Sequence, residues 1–187
     1  MVLYWDFILS NMNLAKQKLI IIDGPMGAGK TTTADLLHLK LIDSTVTGIC
    51  RIKHCVSGFS NNKKEYRIAT DVILAMCRCY LRYGKSIIIE QCFRKKEIME
   101  PYLNLAEKNH LPIFIYELHA PKKILLARIK RRPKEPIKDN QVPYHKRVRN
   151  INSYPRLPYA PVRLYLDSSE LSARQITNRI IKDLKAA

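Results

Sequence analysis

Three stretches of the chain are apolar at nearly every position, and a fourth alternates. Lys18 to Asp23 (KLIIID), Ser86 to Glu90 (SIIIE) and Pro112 to Leu118 (PIFIYEL) are short runs rich in β-branched residues, the pattern of strands buried on both faces of a parallel sheet. Arg163 to Asp167 (RLYLD) predicts the last strand, and Thr47 to Cys55 (TGICRIKHC) a weaker one. Between them the period changes. A helix is expected from Lys30 to Ile42. A longer one is opened by Asn62 with Glu65 three residues on, carries an apolar stripe at Ile68, Val72, Ala75, Met76, Cys79 and Tyr83, and stops at Gly84. Lys95 to Asn109 is helical in pattern, with Pro101 as a break or a first-turn residue. Pro121 opens a basic helix, KKILLARIKRR, which ends at Pro133. From Pro133 to Pro161 lie six of the ten prolines, so this tract is expected to be irregular. The final helix has a capping box, Ser172 with Gln175, and a hydrophobic staple, Leu171 against Ile176.

Alternating strands and helices imply an α/β fold with helices on both faces of a parallel sheet, because each parallel connection needs a crossover. Residues 1–17 read as an N-terminal extension and 18–187 as one domain.

The turn after the first strand changes this from a fold class to a chemistry. Gly24-Pro25-Met26-Gly27-Ala28-Gly29-Lys30-Thr31 satisfies G-x-x-x-x-G-K-[ST] in full, between a predicted strand and a predicted helix. The glycines let the backbone curl around a phosphate with its N–H groups turned inward, and the helix N-terminus adds its positive end. Lys30 is expected to reach the β- and γ-phosphates and Thr31 to place its hydroxyl on Mg²⁺. Thr32 is a candidate for the α-phosphate, and Thr33 belongs to the helix surface.

Composition narrows the partners. With 33 Lys and Arg against 16 Asp and Glu, the net charge is +17, which favours polyanions and leaves nucleic acid open as a partner. Between Lys122 and Arg156 there are twelve basic residues against Glu135 and Asp139, a net of 12 − 2 = +10. Five scattered cysteines lack zinc-site spacing and are expected to be reduced, mostly buried thiols of a cytoplasmic protein. The apolar start, MVLYWDFILSN, is short, contains Asp6 and lacks a basic leader, so it reads as neither signal peptide nor membrane span; Met12 is an alternative initiator.

Four stretches together, IIIDGPMGAGKTT at 20–32, SIIIEQCFRKKEI at 86–98, YELHAPKKILLARIKRR at 116–132 and LDSSELSARQI at 166–176, resemble the small P-loop kinases. The group is nucleoside-monophosphate-kinase-like, and the resemblance is greatest to bacterial AAA-type ATP-binding and zeta-toxin-like proteins. It implies a three-layer αβα P-loop NTPase fold with a five-stranded sheet in the order 2-3-1-4-5. It also implies ATP with Mg²⁺, and transfer of the γ-phosphoryl group to a small acceptor. The basic helix and proline-rich tract, about 128–158, fall where such kinases carry their lid. Arg128 and Arg132 share a helix face and become candidates to hold the transferring phosphoryl group. Arg131, Arg147 and Arg149 lie at or beyond the helix end. Asp167 and Ser168 match the turn beside the adenine.

Glu90 ends an apolar strand at the carboxyl edge of the sheet, where ligands bind. It is a candidate for ordering Mg²⁺ waters or accepting the acceptor's proton, against an ion pair with Arg94. Gln91 is a weaker candidate for substrate contact. Asp23 is a second candidate near the metal through water, or a brace for the loop. The sequence departs from zeta-toxin-like kinases at residues 51–59 (RIKHCVSGF), where the family's acidic base is missing and Asp71 is too far along. Lys53 and His54 there suit an anionic acceptor instead. The expected activity is an ATP-dependent phosphotransferase. The alternatives are a polynucleotide 5′-kinase or other nucleic-acid-directed ATPase, with Tyr144, Tyr154 and Tyr159 as stacking residues, and a nucleotide-binding regulator.

Overall fold

The protein is described by a computed structural model at residues 17–131, 142, 144–155 and 160–187. The two isoleucine runs become its central strands. Leu19–Asp23 (β1) and Ser86–Glu90 (β3) are buried at all five positions each. They pair in parallel, with Ser44–Thr47 (β2) outside β3 and Ile113–His119 (β4) and Val162–Asp167 (β5) on the other side. The order is β2-β3-β1-β4-β5, as expected.

Alternation along β1 sends its side chains to two separate cores. Ile20 and Ile22 pack with Leu37 of α1 (Lys30–Lys40), Leu125 of α5 (Lys122–Arg131) and Ile180 of α7 (Ala173–Ala186). Leu19 and Ile21 pack on the other face. Their partners there are Ile73 of α3 (Lys63–Arg82) and Met99 of α4 (Lys96–Lys108), together with α2 (Ile49–Lys53). Each fully buried isoleucine contributes roughly 1.5–3 kcal/mol.

Several local expectations are corrected. The segment predicted as a strand at Thr47 to Cys55 is strand only to Thr47 and helix over Ile49–Lys53. The β-branched run Thr45-Val46-Thr47 favours the strand and Gly48 ends it. The tract from Pro133 to Pro161 is not wholly irregular, since Tyr144–Asn152 forms α6. Arg147 and Arg149 therefore lie on a helix of their own. Pro101 sits inside α4 without ending it. The cysteines are not mostly buried: Cys77 is, Cys92 is half-buried, and Cys50, Cys55 and Cys79 are exposed.

The largest correction concerns α3. Asn62 caps it as expected, its side chain accepting from the Glu65 N–H. The buried face, however, is Ala69, Ile73, Cys77 and Leu81. The stripe read from the sequence faces outward. The helix carries two apolar stripes and can lay only one on the sheet. The buried one alternates small Ala69 and Cys77 with Ile73 and Leu81, which lets the backbone approach closely.

Candidate active site

The carboxyl edge of β1 runs directly into the phosphate loop. Gly24 has φ 143°, and a Cβ there would stand 2.2 Å from the Leu118 carbonyl oxygen, so the chain can cross the end of β4 only without a side chain. The loop closes with the Ala28 N–H on the Pro25 carbonyl, and α1 starts at Lys30 behind Gly29. The Lys30 ammonium donates to the carbonyls of Gly24 (2.8 Å) and Pro25 (3.0 Å), folded back over the loop.

Asp23 is a hub rather than an open carboxylate. It has no solvent exposure, and Oδ1 accepts from the N–H groups of Gly24 (2.6 Å) and Phe93 (2.9 Å), while Oδ2 accepts from the Tyr154 hydroxyl (2.7 Å). Burial raises its pKa, opposed by these donors and by Lys30. The Tyr154 hydroxyl is pushed up by burial and by the Asp23 charge. The next residues of β3's edge reach the same helix. Arg94 donates to Asn150 Oδ1 (2.6 Å) and to Ser153, through its carbonyl at 3.2 Å and through its hydroxyl. The end of α6 is thereby fixed to the loop after β3 and, through Tyr154, to Asp23.

Glu90 lies beside the loop on the β3 side. It is 2% exposed; Oε2 accepts from the Thr31 hydroxyl at 3.2 Å, and Oε1 stands 3.7 Å from Arg51 Nε. Among the described residues neither Oε1 nor that Nε has a hydrogen-bond partner. Arg51 is held from its other end by Asp35, at 2.5 Å. Burial raises the Glu90 pKa, against the pull of Lys30, Arg51 and the Thr31 hydroxyl. The alternative reading of Glu90, an ion pair with Arg94, is not what the described residues show, since Arg94 turns to Asn150 and Ser153. Gln91 instead accepts from the Tyr102 hydroxyl at 3.2 Å. Gly48 makes this corner possible: a Cβ there would stand 2.1 Å from the Glu90 carbonyl oxygen.

On the opposite flank a cavity of about 510 Å³ opens between the loop and the β5–α7 turn, lined by Gly27, Thr32, Arg128, Ser169, Leu171 and Ile176 among others. Arg128 builds its wall. Its guanidinium donates to the Gly27 carbonyl (3.2 Å), the Ser168 hydroxyl (2.9 Å) and the Ser168 carbonyl (2.6 Å). Asp167 shapes the turn by accepting from the Ser169 N–H and hydroxyl, and the Ser169 hydroxyl is the chief cause of its lowered pKa. Arg128 thus bonds to the outer side of the loop and not to the Lys30–Thr31 side. Arg132 and part of the proposed lid, residues 132–141, 143 and 156–158, lie outside the described residues, as does Tyr159.

Mg²⁺ takes few protein ligands and keeps most of its waters, so a hydroxyl and a carboxylate suffice to seat it. Thr31 beside a buried Glu90 with one unpartnered oxygen fits that requirement. Asp23 has both its oxygens engaged by Gly24, Phe93 and Tyr154.

Sequence reasoning did not single out Arg51 or Asp35, and it read Tyr154 as a stacking residue. No local spacing relates Tyr154 to Asp23, 131 positions away.

The strand order and the G-x-x-x-x-G-K-T loop at the end of β1 define a P-loop NTPase with the architecture of the small P-loop kinases. The chain belongs to the AAA_33 family, described as an AAA domain, whose model matches residues 19–152. No curated protein matches it. Among solved structures it is similar to the Mycobacterium tuberculosis APS kinase CysC in complex with AMPPNP and APS, at 19% identity and TM-score 0.63, over 92% of this chain and 99% of that one. A sugar kinase from Janibacter shares 14% identity at TM-score 0.64, over 89% and 93%. The Deinococcus radiodurans tunicamycin resistance protein shares 21% at TM-score 0.58, over 90% and 96%. At these identities the likeness establishes the fold. Among the described residues, no helix is long and apolar enough to cross a membrane.

Proposed function

We propose that the protein is an ATP-dependent phosphotransferase that moves the γ-phosphoryl group to a small-molecule or nucleotide acceptor. The observation that carries this is the contact between Thr31 and Glu90, which joins the phosphate loop to a buried carboxylate with a free oxygen. A carboxylate beside the loop threonine suits the seating of Mg²⁺ on the β- and γ-phosphates, which phosphoryl transfer requires. In this reading residues 24–32 hold the phosphates through backbone N–H groups, and Lys30 leaves the Gly24 and Pro25 carbonyls for the β- and γ-oxygens. Thr31 and Glu90 would hold Mg²⁺, which supplies neutralisation of the phosphate charge. Asp23 braces the loop. Arg128 walls the nucleoside cavity and keeps the loop against the β5–α7 turn.

The acceptor enters between the β3 edge and α2. Its hydroxyl oxygen forms the new bond to the γ-phosphorus, the bond from that phosphorus to the β-γ bridging oxygen breaks, and ADP leaves with the electron pair. The hydroxyl proton passes to solvent as the new bond forms, because phosphoryl transfer rests on positioning and charge stabilisation more than on a base, and Glu90 keeps its place beside Mg²⁺. The APS kinase neighbour is named with AMPPNP and APS, which agrees with a nucleotide site and a small acceptor site on this fold. Arg51, beside Glu90, gives that acceptor a positive wall.

The test is transfer from γ-labelled ATP to a panel of nucleosides, nucleotides, sugars and antibiotics, with Lys30→Ala as control. Label should reach at least one acceptor class and be lost in the control. ATP binding with no acceptor labelled would favour a nucleotide-binding regulator. The nucleic-acid reading keeps the +17 charge and exposed Tyr144 but loses Tyr154, which is bonded to Asp23. It would be chosen by steeply salt-dependent binding of single-stranded oligonucleotides together with 5′ labelling.

A further inference from the structure

Tyr154 delivers its hydroxyl to a carboxylate that solvent does not reach. Asp23 is 0% exposed, and among the described residues its donors are the N–H groups of Gly24 and Phe93 on Oδ1 and the Tyr154 hydroxyl, at 2.7 Å, on Oδ2. The backbone donors belong to the loops that meet at Asp23. The hydroxyl comes from 131 positions away and depends on where α6 ends. That end is pinned from two sides. Ile151 is buried in the core that also holds Leu37 of α1 and Leu125 of α5, and Arg94 donates to Asn150 (2.6 Å) and to the carbonyl of Ser153 (3.2 Å), the residue before Tyr154.

The same carboxylate lies within the field of the loop lysine. The Lys30 charge acts on Asp23, while its ammonium donates to the carbonyls of Gly24 and Pro25, the two residues that follow Asp23. Arg94, the next cation after β3, spends its guanidinium on Asn150 and Ser153. A buried carboxylate oxygen left without a donor costs the full desolvation penalty of that group, and a neighbouring ammonium is the partner that removes it. Lys30 drawn there would be lost to a nucleotide, because its place in phosphoryl transfer is on the β- and γ-phosphates.

We propose that Tyr154 is a positioning residue for the phosphate loop: by occupying Oδ2 of Asp23 it keeps Lys30 from pairing with that carboxylate and leaves the ammonium free for the β- and γ-phosphates. The inference rests on the proposed phosphate role of Lys30 and on no particular acceptor. It also gives α6 a part in nucleotide binding, since the docking of α6 is what brings the hydroxyl in. The ring alone would serve packing; the hydroxyl is what answers Asp23.

Calorimetric titration with AMPPNP and Mg²⁺ tests this without an acceptor. Tyr154→Phe keeps the ring and removes the hydroxyl, and should weaken AMPPNP binding about ten-fold, the scale of one hydrogen bond to a charged group. Asp23→Asn removes the charge that would capture Lys30, so Tyr154→Phe added to it should cause no further loss. A hydroxyl that served the fold alone would lower the affinity by the same factor in both backgrounds. Should Asp23→Asn fail to fold, Lys30→Ala gives the same reading, because with no ammonium to capture Tyr154→Phe should again change nothing. Unchanged affinity in Tyr154→Phe, or an equal loss in the second background, would overturn the proposal and leave the phosphotransferase reading in place. Weakened binding confined to the first background, with no acceptor labelled, would do the reverse. No binding of AMPPNP by the unaltered protein would overturn both.

Discussion

The two flanks of β1 carry sites of opposite character. On the β4–β5 flank the polar groups of the cavity wall are already satisfied: the Arg128 guanidinium, the Ser168 hydroxyl and the Asp167 carboxylate are all bonded within the protein. On the β2–β3 flank Glu90 Oε1 and Arg51 Nε lie 3.7 Å apart, buried and without hydrogen bonds. An unmade bond at a buried charged group costs more than a made one contributes. The first flank is therefore a preorganised wall, suited to a ligand gripped by shape and backbone. The second keeps hydrogen-bonding capacity in reserve, suited to a ligand that supplies the missing partners.

Lys30→Ala should break the shared element between the flanks and have the largest effect. Removing one preorganised donor to a developing phosphate charge lowers turnover by about 10²–10³-fold, read as label transfer, with thermal stability little changed. Gly24→Ala attacks the scaffold under both. A Cβ 2.2 Å from the Leu118 carbonyl, at φ 143°, should destabilise the protein by about 2–3 kcal/mol, seen as a lower denaturant midpoint. Arg128→Met tests the satisfied flank alone. Losing its charged hydrogen bonds, each of which contributes about 1.5–3 kcal/mol, should weaken ATP binding roughly ten-fold by calorimetry, with the Glu90 flank intact.

Glu90→Gln sharpens the comparison at the smallest stability effect. Burial raises the Glu90 pKa above its ordinary 4.5, so the native state binds the proton more tightly than the unfolded state does. Its stabilising contribution is complete below about pH 4.5 and is lost as pH rises through the higher native value. The variant should thus gain stability over the unaltered protein near pH 7, with the difference closing below pH 4.5, in paired melting curves. Its activity should fall over the whole range. A variant that loses stability at neutral pH would mean that Arg51 and Lys30 more than offset the burial.

The flanks also differ in how far the sequence revealed them. The loop was legible because backbone conformation sets its job, and glycine, lysine and threonine at fixed spacing encode that conformation locally. Glu90 was legible as a candidate position, since an apolar run ends there in a carboxylate at the edge of the sheet. Its partner was not. Arg94, four residues on, was the near neighbour in sequence, yet Arg94 bonds to α6 and Arg51 of α2 takes the place. Tyr154 was misread for the same reason: its hydroxyl belongs to Asp23, brought to it by the return of the chain from α6.

By itself the sequence determined what depends on neighbours along the chain: the strands and their alternation with helices, the caps at Asn62 and Ser172, and the conformation of GPMGAGKTT. Tertiary structure alone decided which of two apolar stripes on α3 faces the sheet, which hydroxyl meets Asp23, and which arginine meets Glu90. A periodic pattern states that a face is apolar but not what lies opposite it. That is settled when the whole sheet chooses the closest packing and the fewest unpartnered charges.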